Sequence, residues 1–84
     1  MDVSELRLAL EEHGVREDRY DLELEGFTLP NDRYCLRREG RFRWVTYYSE
    51  RGQRWGERTW ITESEACEHV LHKFVKDDGA TTDA

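Results

Sequence analysis

Two tripeptides ending in glycine, Arg38-Glu39-Gly40 and Glu50-Arg51-Gly52, constrain this chain more than any other feature. Each separates stretches rich in aromatic and β-branched residues. A three-residue connection closing on Gly is the signature of a type I turn followed by a bulge. Two in succession predict a meander of strands near 33–37, 41–49 and 53–61. Pairing Arg37 with Arg41 sets Leu36 opposite Phe42 and Tyr34 opposite Trp44. Pairing Ser49 with Gln53 sets Tyr47 opposite Trp55 and Phe42 opposite Trp60. One face then gathers Tyr34, Leu36, Phe42, Trp44 and Trp60, the expected core face. The other gathers Arg33, Cys35, Arg37, Arg41, Arg43, Val45, Tyr47, Trp55 and Glu57. Arg54 and Arg58 fall on the core face in this register. A bulge at Gly56 would turn part of the last strand over, so both arrangements stay open.

Helices are expected on either side. Asp2 with Glu5 three residues later reads as a capping box, and Val3, Leu6, Ala9 and Leu10 form one helical stripe. Gly14 takes the position after the helix end, with Val15 placed to pack on Leu10. Tyr20, Leu22 and Leu24 alternate with Asp21, Glu23 and Glu25 as a half-buried strand. Pro30-Asn31-Asp32 marks a loop, with Phe27 and Leu29 expected at the core edge. Thr62 and Glu65 form a second capping box. Ala66, Cys67, Val70, Leu71, Phe74 and Val75 make the second apolar stripe. The expected fold is a two-layer α+β domain in α-β-β-β-β-α order: a four-stranded antiparallel sheet with two helices on one face. It spans residues 1–76, and 77–84 reads as a disordered tail.

A chain of 84 residues has room for one core, and a domain this small buries only about 60% of its unfolded surface. Three Trp, four Tyr and three Phe supply large buried area per residue. Met1 to Leu10 is interrupted by charges and does not read as a signal peptide. No apolar run nears the roughly 20 residues of a membrane helix. A cytoplasmic protein is expected, with Cys35 and Cys67 as reduced thiols. The net charge of −6 is uneven. Residues 33–58 hold eight Arg against three acids, a local +5, and the remainder carries −11. A dipolar surface of this kind suits a protein partner better than a polyanion.

Catalytic and metal chemistry find little support. His69 and His72 share a helical face with Glu65, but Cys67 points the other way, so solvated helix residues are the simpler reading. Cys67 belongs to an apolar stripe. Cys35 lies among Arg33, Arg37 and Arg43, which would activate a thiol if it were exposed; a small packed residue is the plainer reading. No phosphate-binding glycine loop is present. No catalytic residue, metal or cofactor is therefore expected. An arginine and aromatic sheet face admits RNA binding as the alternative, since rings among arginines stack on bases. The acidic start of the second helix, Glu63, Glu65 and Glu68, and the overall charge disfavour it. Protein recognition uses the same Tyr, Trp and Arg, and Arg37, Arg43, Tyr47, Trp55 and Glu57 are the candidates on that face.

The run Trp44-Val45-Thr46-Tyr47-Tyr48-Ser49-Glu50-Arg51-Gly52, followed by Glu63-Ser64-Glu65-Ala66-Cys67-Glu68, resembles small immunity proteins encoded beside bacterial polymorphic toxins. The resemblance covers roughly residues 20–75. It implies a non-catalytic inhibitor that binds a cognate toxin protein, as a monomer or weak dimer. Its contact residues would include Tyr47, Tyr48, Glu50, Arg51 and Glu63.

Overall fold

The computed structural model describes the backbone of residues 1–25 and 30–83, with side chains as far as Val75 in the last helix. Phe27 and Leu29 lie outside this range. Helix α1 (Val3–Glu12) leads through a short 3-10 turn to strand β1 (Tyr20–Asp21). Strands β2 (Arg33–Gly40), β3 (Arg43–Glu50) and β4 (Gln53–Trp60) follow, and then helix α2 (Glu63–Asp83). The backbone of α2 continues into the stretch read from sequence as a tail, whose side chains lie beyond those described. No helix among the described residues is long and apolar enough to cross a membrane.

Local chemistry sets the ends of α1. The Asp2 carboxylate accepts the Glu5 N–H at 2.9 Å, and the Glu5 carboxylate accepts the Asp2 N–H at 3.1 Å, a complete capping box. At the other end Gly14 adopts φ +75, its N–H bonds the Glu11 carbonyl, and the Val15 N–H reaches Leu10. That is a Schellman closure, available to Gly because the left-handed region carries no Cβ penalty there. Helix α2 is capped differently from expectation. Thr62 Oγ1 accepts the Glu65 N–H at 3.2 Å, but Glu65 answers by accepting the Thr62 hydroxyl rather than a backbone N–H.

The sheet runs in the order β1-β2-β3-β4 and is mixed. The expectation of an all-antiparallel sheet is corrected at β1, which pairs parallel to β2 through Tyr20↔Tyr34 and Asp21↔Cys35. The cause is local. Asp21 Oδ1 takes the Glu23 N–H at 3.0 Å, diverting the backbone from the ladder after two residues.

Both hairpins are tighter than the sequence predicts. β2 runs through the first tripeptide to Gly40, and Arg41-Phe42 makes the turn, with Glu39 as an extra residue. Tyr34 therefore faces Tyr48, Leu36 faces Thr46 and Arg38 faces Trp44. The slip from the expected register is an even number of residues, so it preserves faces. Tyr34, Leu36 and Trp44 still point into the core, while Phe42 sits on the turn, 69% exposed. In the second hairpin Arg51 and Gly52 both have positive φ, +52 and +74. This is the two-residue left-handed pair that matches strand twist. Glu50 pairs with Gln53, Ser49 with Arg54 and Tyr48 with Trp55. That one-residue change turns Trp55 to the side of Tyr48, away from the expected partner Tyr47.

A bulge then intervenes. Gly56 and Glu57 together face Tyr47, with Gly56 at φ +62, and pairing resumes as Thr46↔Arg58 and Trp44↔Trp60. Trp60 is thereby returned to the core side, where its indole N–H donates to Thr46 Oγ1 at 3.1 Å. The main core joins Leu6 and Leu10 of α1, Tyr20 and Leu22, Tyr34, Leu36 and Trp44 of the sheet, and Ala66, Cys67 and Val70 of α2. A smaller buried cluster, Cys35, Val45 and Tyr47, occupies the opposite sheet face.

A Cβ at position 56 would meet no neighbour within 4 Å, so only the backbone conformation resists one. Gly56→Ala is expected to lower unfolding free energy by about 1–2 kcal/mol in urea titration. A variant as stable as the parent would show that the bulge does not depend on the left-handed conformation.

Candidate functional site

The short β4 stretch Trp55-Gly56-Glu57-Arg58 does something a regular strand forbids. Residues three apart on a strand point to opposite faces, but the extra residue of the bulge puts Trp55 and Arg58 on the same side. Opposite them, α2 presents His69 and Lys73, one helical turn apart. Between the two elements lies a groove of about 530 Å³, floored by Tyr34 and Tyr48 and walled by Trp55, Arg58, His69 and Lys73. A smaller hollow of about 220 Å³ shares Tyr34, Tyr48 and Lys73 with it and adds Arg19, Asp32 and Phe74.

The groove walls are held in place from behind. The Tyr34 hydroxyl and His69 Nε2 share a hydrogen bond of 2.9 Å, and the His69 ring stacks on Trp60 with centroids 4.8 Å apart. Phe74 meets Tyr34 edge-on at 6.2 Å. The Tyr48 hydroxyl donates to Asp32 at 3.2 Å, and Asn31 Oδ1 accepts the Arg51 N–H at 2.9 Å, tying the loop before β2 to the β3–β4 turn. Trp55, by contrast, remains 54% exposed. His69 titrates below its ordinary range, first because it is partly buried, then because Arg58, Lys73 and His72 are positive neighbours. His69 thus belongs to the groove and not to the solvated helix face that the sequence suggested.

The electrostatics of the two sheet faces differ. On the face bearing Tyr47, three arginines are tied to acids. Arg37, almost wholly buried, makes a two-pronged pair with Asp21, at 3.2 Å to each carboxylate oxygen. Arg43 bonds Glu39 at 3.3 Å. Arg54 reaches both Glu39 and Glu57 while lying 4.3 Å over the Tyr47 ring. In the groove the two cations, Arg58 and Lys73, have no carboxylate partner among the described residues, and none of the residues lining it is acidic.

The residues singled out from sequence are therefore split among several places. Tyr48 and Trp55 come together in the groove. Arg37, Arg43 and Glu57 lie on the far face inside ion pairs, and Tyr47 there is fully buried. Glu50 and Arg51 belong to the β3–β4 turn. Glu63 joins the two helix starts, accepting the Val3 N–H at 3.0 Å. The expected grouping of Tyr47 with Trp55 on one exposed face is corrected, because the two-residue turn shifts β4 by one position. Sequence reasoning passed over Tyr34, Arg58, His69 and Lys73 as a group. The available signal was the odd, five-residue separation of Trp55 and Trp60, which a regular strand cannot place on one face.

Neither thiol is available for chemistry. Cys35 and Cys67 are fully buried and unpaired in any disulfide. Burial pushes the Cys35 thiol up despite nearby Arg37, and pushes Cys67 up to about 12. Arginine activation of Cys35 thus does not occur. Among the described residues, no group of three or more His, Cys, Asp or Glu is placed to hold a metal ion. What the groove offers is ring faces and positive charge.

Comparison with known proteins finds no matching family model, no matching curated protein and no matching solved structure.

In the native protein at pH 8 both cysteines are expected to resist a thiol reagent, and both to react at once in denaturant. Rapid native labelling of either would contradict the burial described. A second expectation concerns acid. Burial would raise the Asp21 carboxyl, but hydrogen bonds from Arg37 and the Glu23 N–H, with the Arg37 charge, outweigh it and hold it low. A depressed carboxyl stabilises the fold above its unfolded value near 4 and loses that contribution as pH falls through the folded one. Asp21→Asn should therefore cost about 3–5 kcal/mol at pH 7 by removing the carboxylate from a buried ion pair. The gap from the parent should narrow below about pH 4. A gap that stays constant with pH would rule out the ion pair as its source.

Proposed function

We propose that this chain is a non-catalytic protein-binding domain, an inhibitor of the immunity-protein kind that acts in the bacterial cytoplasm by occluding a cognate toxin. The groove between β4 and α2 is its principal contact surface. The observation that carries this reading is Trp55: a large ring lining a concave surface, over half exposed, with Arg58 and Lys73 in the same lining and no acidic residue among them. A protein spends no hydrophobic burial on such a ring in the free state, whereas an interface recovers it. Half-exposed Trp beside Arg is also the composition that dominates binding energy at protein interfaces.

Several features support a binding role over a chemical one. The groove is rigid at its back, through the Tyr34–His69–Trp60 stack, so little order need be gained on association. With both helices taken to cover the Tyr34 face of the sheet, the groove opens where α2 leaves β4 uncovered. The acidic remainder of the chain would steer the encounter with a basic toxin surface, and the groove would anchor it. On the arginine face that made RNA an alternative, Arg37 and Arg43 are held in internal ion pairs, which leaves less positive charge for phosphates.

The test is co-purification of the tagged protein with its partner from source cells, followed by calorimetry with the purified pair. A one-to-one complex that survives high salt is expected. Trp55→Ala should weaken it about tenfold or more with an unchanged melting temperature, as for an interface anchor. Tyr47→Ala, which empties a buried site, should instead destabilise the free domain by about 3 kcal/mol or more. A complex indifferent to Trp55→Ala would overturn the groove as contact surface. Retention of nucleic acid that leaves as salt rises, with no protein partner, would overturn the inhibitor reading.

A further inference from the structure

The charge pattern of the groove narrows what can occupy it. The chain has 19 acidic residues against 13 Lys and Arg, and three arginines on the opposite sheet face, Arg37, Arg43 and Arg54, pair with acids. Arg58 and Lys73 have no carboxylate partner among the described residues and line, with a half-exposed Trp, a groove that has no acidic residue in its lining. His69 lies in the same lining, held below its ordinary range first by burial and then by these two cations. They also make a positive patch in a molecule whose net charge is −6.

We infer that the groove receives an acidic, aromatic-bearing segment of the protein partner: a side-chain carboxylate seated at Arg58 and Lys73, with an adjoining ring or apolar side chain on Trp55. This rests on the protein-binding reading above and specifies its partner. Guanidinium recognises carboxylate through a planar fork and ammonium as a point charge, so one of each accommodates a carboxylate without demanding a single approach angle. The exposed indole supplies the apolar contact that free carboxylate lacks. Between Trp55 and Arg58 the backbone is bulged at Gly56, so the pair presents ring and charge side by side along one strand. A basic segment would instead meet both cations and be repelled.

The experiment titrates the full chain, isotopically labelled, with two capped pentapeptides, one alternating glutamate with tyrosine and one alternating lysine with tyrosine. The acidic peptide is expected to shift the Trp55 indole and the amides of 55–58 and 69–73, and to bind several-fold more weakly as salt rises from low to physiological. The lysine peptide should shift none of them at the same concentration. Arg58→Glu with Lys73→Glu should abolish the acidic response and let the lysine peptide bind; the milder Arg58→Gln with Lys73→Gln, if the first pair fails to fold, should weaken the acidic peptide about tenfold. Equal shifts from both peptides, shifts confined to other residues, or none at millimolar concentration would overturn the inference. The partner complex separates the two levels. A partner lost with Trp55→Ala but bound equally well after charge reversal keeps the protein-binding reading and overturns the acidic segment.

Discussion

Side chains on a strand alternate between faces, so Trp55 and Trp60, five positions apart, belong on opposite sides of any regular β4. Trp60 is committed to the core side by its bond to Thr46 and its stack on His69. Trp55 is committed to the same side by the two-residue turn that pairs it with Tyr48. Only an inserted residue reconciles the two, and Gly56 is that residue because it accepts φ +62 without a Cβ. The groove, its aromatic wall and the position of Arg58 all follow from this single insertion.

The opposite face is organised by a different rule. A guanidinium as buried as Arg37 needs a counter-charge, and Asp21 engages it with both oxygens. The pair also explains why so short a strand as β1 holds its place. Two ladder residues contribute little by themselves, but Asp21 is bonded to Arg37 of β2 through its side chain and sits beside Cys35 through its backbone. Part of the arginine-rich appearance of the central sequence is thus internal structure: Arg37, Arg43 and Arg54 pair with Asp21, Glu39 and Glu57.

Much of this fold was legible in the sequence because it rests on local chemistry. The α1 caps at Asp2 and Gly14, the presence of two hairpins, and the core faces of Tyr34, Leu36 and Trp44 all announce themselves through short-range spacing, whereas a bulge at Gly56 is one of two arrangements that spacing leaves open. What was not legible depended on choices between near-equal local options. Arg51-Gly52 serves as a two-residue turn although its first position is not Gly or Asn, and one residue of difference there decides which side Trp55 faces. The parallel pairing of β1 depends on an Asp21 side-chain bond that competes with the ladder. The groove depends on α2 crossing near β4, which no spacing within either element reveals. His69 therefore reads as a solvent-facing helix residue until Trp60 is seen behind it.

The same bulge has a consequence for how the molecule behaves in a crowded solution. β4 is the open edge of the sheet, eight residues long and exposed along nearly all of its length. A regular edge of that length is a template on which another chain can add a strand, and then another. Gly56 breaks the row of free N–H and C=O groups near its middle and twists the two halves out of line. The residue that shapes the groove thereby makes the edge a poorer template for strand addition. In so small a domain one glycine serves both the groove and the open edge.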